Sequence, residues 1–315
     1  MINKDFKSVR ELLKAFPDEQ TCINHLEQLR WNSNVVSPFD ATSKVYKCAG
    51  NKYKCKNTGK YFNVRTATLF DNTKIELQTW FLAIYLITGH KKGISSLQLS
   101  KDLNTTQKTA WFMLHRIRAC YGMGSEINSG SGQLGGEGVI VETDETIIGG
   151  KVPNMHKSKR NAVKEGRRGI NDNKTNVVGY MERGGKIRME VLQPNTQLKD
   201  ALKKNVDTAS ILCTDAAASY SIVGKEYAVH GIVDHSADEY AKDGIFHTNT
   251  IEGVFSLFDR MVIGTYHYIS PKHLQAYLNE YCFRYNSRKL KECSRFNLML
   301  SNSTNRLTYK NLTNG

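Results

Sequence analysis

The chain has 315 residues, 40% hydrophobic and 10% aromatic, with 44 Lys and Arg against 30 Asp and Glu, a net charge of +14. That length predicts two or three domains, each able to bury a core. The hydrophobic content excludes a wholly disordered chain, and five Pro with 24 Gly exclude collagen-like or Pro-rich repeats. The longest apolar run, WFLAIYLIT at 80–88, is far short of the roughly 20 residues that cross a bilayer. The start MINKDFKSVRELLKAF is charged throughout, with no apolar signal core. The expected location is the cytosol, with no membrane partner.

The positive charge is local. Residues 41–108 carry 12 basic and 3 acidic side chains, and 151–168 carry 7 basic and 1 acidic. Two basic blocks separated by near-neutral chain point to a polyanion, most often nucleic acid. The seven Cys (22, 48, 55, 120, 213, 282 and 293) are odd in number and scattered, which argues against a disulfide framework.

Residues 1–33 read as two short helices broken at Pro17-Asp18. Residues 34–66 alternate Tyr and Val with Lys around Gly-Asn and Thr-Gly turns, which predicts small hairpins. A zinc ribbon needs four ligands in two close pairs. Cys48 and Cys55 have no such partners, so a metal-free mini-sheet is expected and no zinc. Residues 72–121 read as three helices: 75–88, one capped by Ser95 or Ser96 and running through Leu103, and 106–120. A short helix, a tight turn and the basic helix KTAWFMLHRIR are expected to form a helix-turn-helix, the other reading being an ordinary helical hairpin. The Gly- and Ser-rich residues 122–137 predict a linker.

A β-branched strand, GVIVETDETIIGGK, opens the second half, followed by a long basic loop to about residue 173. TNVVGYMER and KIRMEVLQ, joined by Gly184-Gly185, read as a hairpin. A helix, the strand SILCT ending at Asp215, another helix and the strand YAVHGIVD follow, and 249–290 reads as largely helical. This order predicts an α/β domain with a mixed sheet.

Asp144 and Asp215 end two of these strands, and Glu252 lies near a helix start. Three hard oxygen ligands of this kind suit a pair of Mg²⁺ or Mn²⁺ ions that activate water at phosphorus. Glu142 shares Asp144's face by strand alternation, and Glu145 takes the other. Strand-end Asp and helix-start Glu are also common as turn and cap residues, so the acids alone leave the assignment open.

The words around them narrow it. VETDETIIGGK, TDAAASY, HTNTIEGVFSLFDR and GTYHYISPKHLQAYLNEYCFRYNSR, in that order, resemble the Merlin/ISXO-type DDE transposases of insertion sequences. FPDEQTCINHLEQLRW, VVSPFD, YKCKNTGKYFNVRTATLF and KTAWFMLHRIR extend the resemblance over roughly residues 8–298. It implies an RNase H-like catalytic domain at 138–298, an N-terminal DNA-binding region at 1–121, and a C-terminal tail at 299–315. It implies two divalent ions held by Asp144, Asp215 and Glu252, with Asn249 as the alternative third ligand. Implied partners are the element's terminal inverted repeats, target DNA and a second or further copy of the chain, in the nucleoid of a bacterial cytosol. Basic side chains expected on DNA are Lys108, Arg116 and Arg118; Lys157, Lys159, Arg160, Arg167 and Arg168; and Arg260, Lys272, Arg284 and Arg288. Arg284, Asn286 and Arg288 could instead brace the catalytic helix. His247, Tyr266, His267 and His273 also fall in family motifs, as phosphate or proton contacts or as structural residues.

Two departures stand out. The four ribbon-ligand positions implied by the resemblance are Ser37, Asp40, Cys55 and Thr58, so zinc is not carried over. Phe255 and Asp259 stand where relatives hold a Trp and a Lys. The reversed charge at Asp259 keeps a weakened or repurposed DNA-binding protein as one alternative, and an RNase H-like nuclease as another.

Overall fold

The computed structural model describes residues 5–121, 132–150, 152–167, 169, 174–194, 196–216, 218–233 and 245–314. The chain divides into two compact units, one of residues 1–123 with 289–315, the other of residues 124–288.

The first unit starts with α1 (Val9–Ala15) and α2 (Glu19–Trp31). The Ser8 and Asp18 side chains accept the Glu11 and Thr21 amides, which starts each helix where the sequence breaks. Strands β1 (Val45–Cys48), β2 (Lys52–Cys55) and β3 (Tyr61–Phe62) form an antiparallel three-stranded sheet, the mini-sheet expected there. Of the implied ribbon positions, Ser37 and Thr58 hydrogen-bond to the buried Cys55 sulfur, joined by Ser43. Burial pushes the Cys55 thiol up, but these hydroxyls outweigh it and hold the group at about 6. Asp40 turns instead to Thr42 and Asn57.

Helices α3 (Leu77–Gly89), α4 (Ser96–Asp102) and α5 (Gln107–Tyr121) follow. Ser95 caps α4 through the Gln98 amide. α4, the turn and α5 form a helical pair, but α5 does not present a long open face. From Ala110 onward most of its side chains are buried.

The second unit contains β4 (Ile140–Gly149), α6 (Lys157–Lys164), β5 (Lys174–Glu182), β6 (Ile187–Val191), α7 (Leu198–Asn205), β7 (Ile211–Asp215), α8 (Ala218–Val223), β8 (Val229–Val233), α9 (Asn249–Met261) and α10 (Pro271–Asn286). The basic segment read as a loop therefore holds a helix, α6. The five strands lie in the order β6-β5-β4-β7-β8. β4, β5 and β6 are antiparallel, and β5 turns into β6 at Gly184-Gly185, where Gly184 takes φ +76°. β7 and β8 run parallel to β4. One sheet face packs on α9 and α10 through Ile148, Val177, Met181, Ile251, Phe258 and Leu278. The other packs on α7 and α8 through Val141, Val178, Tyr180, Leu202, Leu212 and Tyr220. Strand alternation thus fills both layers from one sheet.

The last segment, with α11 (Glu292–Ser301) and α12 (Tyr309–Asn314), departs from the expected boundary. It belongs to the first unit rather than forming the end of the catalytic domain and a tail. Phe296 is fully buried among Phe6, Phe16 and Phe81. The Leu69 amide donates to the Ser303 carbonyl, and Asn305 donates to the Ala119 carbonyl. Residues 303–312 thereby cover α5.

Candidate active site

The site is built on strand register. β4 and β7 pair in parallel at Ile140–Ile211, Val141–Leu212 and Glu142–Cys213. The same offset carried two residues on sets Asp144 level with Asp215, on the same face of adjacent strands. On the other side of β4, Asp144 stands opposite Gly179 of β5. Helix α9 lies over that glycine. A Cβ at Gly179 would stand 2.8 Å from Ile251 Cδ1 and from Phe255 Cζ, so only glycine allows the helix this close. Glu252 is the next residue after Ile251 and is exposed, and the Thr248 hydroxyl donates to its Oε1 at 3.1 Å.

Asp144 is half-buried, and its Oδ1 accepts the Glu145 amide at 2.7 Å. Burial pushes its carboxyl up to about 6, the Glu145 amide opposes this, and the charges of Asp215, Glu252 and Glu145 push it further up. Asp215 and Glu252 thus both lie near enough for their charges to act on Asp144. Glu145 faces away, beside Tyr220, as strand alternation requires.

Hard, mutually repelling carboxylates on rigid elements fit a divalent cation, which would relieve the repulsion that raises Asp144. Among the described residues, no three His, Cys, Asp or Glu side chains already close on a single ion. The donor chemistry fits a metal, and the arrangement is an open set rather than a finished cage.

Sequence reasoning placed Glu142 on the right face and missed its part. Its side chain is fully buried. Oε2 accepts the amides of Thr250 (2.9 Å) and Ile251 (3.1 Å), and Oε1 accepts the Thr250 hydroxyl (2.9 Å) and Arg183 Nε (2.8 Å). The His247 ring nitrogen lies 3.4 Å from Oε1. Arg183 also donates to the carbonyls of Ile245 and His247. A strand carboxylate thus satisfies orphan amides at the start of α9, and its arginine partner ties down the approach to that helix. The signal was the pairing of Glu142 with Asp144 in VETDE, but its partner 108 residues away is invisible to local pattern.

The expected DNA contacts divide. Arg116 is only 5% exposed and donates to the carbonyls of Leu307 and Asp71; Arg118 is 1% exposed. Both are corrected here from base-reading to interior residues, because the 303–312 segment covers the helix that carries them. Lys108 is exposed, its ammonium 5.0 Å from the Tyr309 ring centre. Lys157, Lys159, Arg167, Arg260, Lys272 and Arg288 are exposed. Arg160 is half-buried and donates to the Pro153 carbonyl, and Arg167 pairs with Glu165. Arg168 lies outside the described residues, as do residues 122–131 of the expected linker.

Arg284 is corrected likewise: it is buried with Glu280 and the Met261 sulfur. Asn286 exchanges two hydrogen bonds with the Ile187 backbone and so braces α10 on β6. Tyr266 donates to Glu280, a structural contact. The His267 ring bonds to the Ile263 carbonyl, and Asn249 is exposed at the first residue of α9.

A mixed sheet flanked by helices, with acids level on its central strands, is consistent with an RNase H-like fold of the DDE transposase kind. Residues 133–286 match the ISXO2-like transposase domain. An "Uncharacterized protein in transposable element ISH50" from Halobacterium salinarum is 25% identical over 290 residues, covering 86% of this chain and 92% of the relative. No solved structure matches the chain. Among the described residues, no helix is long and apolar enough to cross a membrane.

Proposed function

We propose that the protein is the transposase of an insertion sequence: it binds the element's terminal inverted repeats, cuts the DNA at the element ends and joins the freed 3′-OH to target DNA. The observation that carries the reading is the register that sets Asp144 level with Asp215 beneath the helix of Glu252, inside the stretch that matches the ISXO2-like domain. In this reading Asp144, Asp215 and Glu252 hold Mg²⁺ or Mn²⁺, which when bound supplies an activated oxygen nucleophile and charge stabilisation at phosphorus. The chain's own work is positional. The strand pair fixes two carboxylates, Gly179 lets α9 down onto them, and Glu142 with Arg183 holds the start of that helix.

Cleavage is an in-line attack of water on the end phosphodiester, releasing a 3′-OH. Joining is the same displacement with that 3′-OH as nucleophile, so one site serves both. Cutting two ends together calls for at least two copies of the chain on DNA. The exposed cations of α6, with Arg260, Lys272 and Arg288, supply phosphate contacts along the catalytic unit. The test is purified protein, Mg²⁺ and a duplex carrying one element end. Cleavage at the end leaving a 3′-OH, followed by joining to plasmid, supports the reading. Cleavage without joining would make it a nuclease, and binding without cleavage in Mg²⁺ or Mn²⁺ would make it a DNA-binding protein.

A further inference from the structure

The burial of Arg116 and Arg118 leaves the first unit without the base-reading helix its sequence promised. Its other basic stretch is better exposed. Between residues 41 and 61 there are six lysines and no Asp or Glu. The sheet sorts them. Register pairs Tyr46 with Lys54 and Lys54 with Tyr61, so the three stand in one row across all three strands. Cys48 pairs with Lys52, and the Lys56 amide bonds to the Lys44 carbonyl one step beyond Val45–Cys55. Directly opposed residues share a face. One face therefore carries Lys44, Tyr46, Lys52, Lys54, Lys56 and Tyr61. The other face carries Tyr53, Cys55 and Phe62, all buried.

The outer rings are open. Tyr46 is 43% and Tyr61 60% exposed, unusual for side chains that usually bury their rings. A lysine rests on each: Lys44 Nζ lies 5.6 Å from the Tyr46 ring centre, and Lys54 Nζ 5.5 Å from that of Tyr61. The rings stand two strands apart, about 10 Å, so they take separate bases rather than sandwich one. Beside β1 runs an open groove of about 790 Å³, lined toward α2 by the amides of Asn24, Gln28 and Asn34 and by Lys44 and Lys47, with Glu27 as its acid.

We propose that this sheet face is a stacking platform for unpaired DNA: bases lie on Tyr46 and Tyr61, and the lysines now resting on the rings swing to the phosphates. Duplex DNA shows proteins only base edges and backbone, whereas exposed ring faces reward bases that have left the stack. The absence of acids on the face makes it complementary to a phosphate strand. The inference rests on the DNA-binding part of the function proposed above and extends it to a strand opened at or near an element end. It does not draw on the catalytic unit.

The experiment is fluorescence anisotropy with the full chain, a labelled single strand of mixed sequence and the blunt duplex of the same sequence, across a salt series. Tyr46→Ala with Tyr61→Ala is expected to weaken single-strand binding by 10-fold or more, on the order of what lost base stacking costs, and duplex binding by less than about twofold. Tyr46→Phe with Tyr61→Phe keeps the rings and is expected to bind as wild type. Lys52→Gln with Lys54→Gln is expected to lower the salt slope by about 0.7 per lost single-strand contact. Circular dichroism confirms that these surface variants fold. Single-strand affinity within twofold of wild type in the alanine pair, or equal losses on both DNAs, overturns the proposal. Failure of the transposase reading would show differently: the wild type would bind the single strand yet leave a duplex element end uncut.

Discussion

Gly179→Ala is the sharpest probe of how the candidate site is assembled. The new Cβ would stand 2.8 Å from Ile251 Cδ1 and Phe255 Cζ and 2.9 Å from Phe255 Cε1. That is about 0.6 Å inside the 3.4 Å at which ordinary contact begins. All three atoms belong to α9, so the displacement falls on the helix that carries Glu252. Overpacking of this kind costs about 1–3 kcal/mol, a drop in Tm of about 2–12 °C for a unit of this size. A misplacement of about 1 Å near the chemistry costs on the order of 100-fold in rate. A shift of about 0.6 Å is therefore expected to slow single-turnover cleavage of an end substrate roughly 10-fold or more, with DNA binding kept. Adding Ile251→Val and Phe255→Leu removes the three clashing atoms and should recover much of both losses relative to that pair alone. A Gly179→Ala protein with Tm within about 2 °C and rate within about twofold of wild type would show that α9 is not seated on the glycine. A lowered Tm with an unchanged rate would separate the helix from the reaction.

Four further outcomes follow from the same geometry. Glu142→Gln should lower hydrogen-exchange protection of the Thr250 and Ile251 amides by at least about 10-fold, and Glu142→Ala should cost about 1–3 kcal/mol for each of these amides left unpaired; unchanged protection refutes the anchor. Asp215→Ala and Glu252→Ala should each abolish cleavage, with Asn249→Ala far milder; the reverse ranking of the last two moves the third ligand to Asn249. Arg116→Ala should lower stability by about 1–3 kcal/mol through its lost carbonyl contacts, while affinity per folded molecule on duplex DNA stays at the wild-type value; selective loss of repeat binding would restore it as a reading residue. Asp259→Lys, two helical turns beyond Glu252 and exposed, should tighten binding to element-end DNA and speed cleavage without changing the Mg²⁺ dependence; no gain would mean that Asp259 faces only water.

Local chemistry made much of this architecture readable. The alternation in GVIVETDETIIGG fixed a strand and put Glu142 and Asp144 on one face, and the Gly184-Gly185 turn marked the hairpin. Ser95, one of the two caps expected there, starts its helix, and the break at Pro17-Asp18 separates the first two helices as read. What was not readable depends on partners far along the chain. KTAWFMLHRIR looks like an exposed basic helix until residues 303–312 close over it. VETDE reads as two acids of similar purpose until α9 takes one of them as its anchor. Nothing local in TNVVGYMER marks Gly179 as the place where the helix lands. The helix α6 is hidden because its Lys- and Arg-rich residues show no apolar stripe, and it buries none of its side chains.

The return of residues 289–314 to the first unit makes the second unit an insertion within another fold. Phe296 completes an aromatic core begun by Phe6 and Phe16. On a ribosome adding about 5–20 residues each second, that core waits roughly 10–30 s for its last pieces while the inserted unit is made. A fragment cut short before residue 289 therefore yields no free-standing version of the first unit. In the proposed function, broken copies of the gene would release no stray competitor for the element's ends.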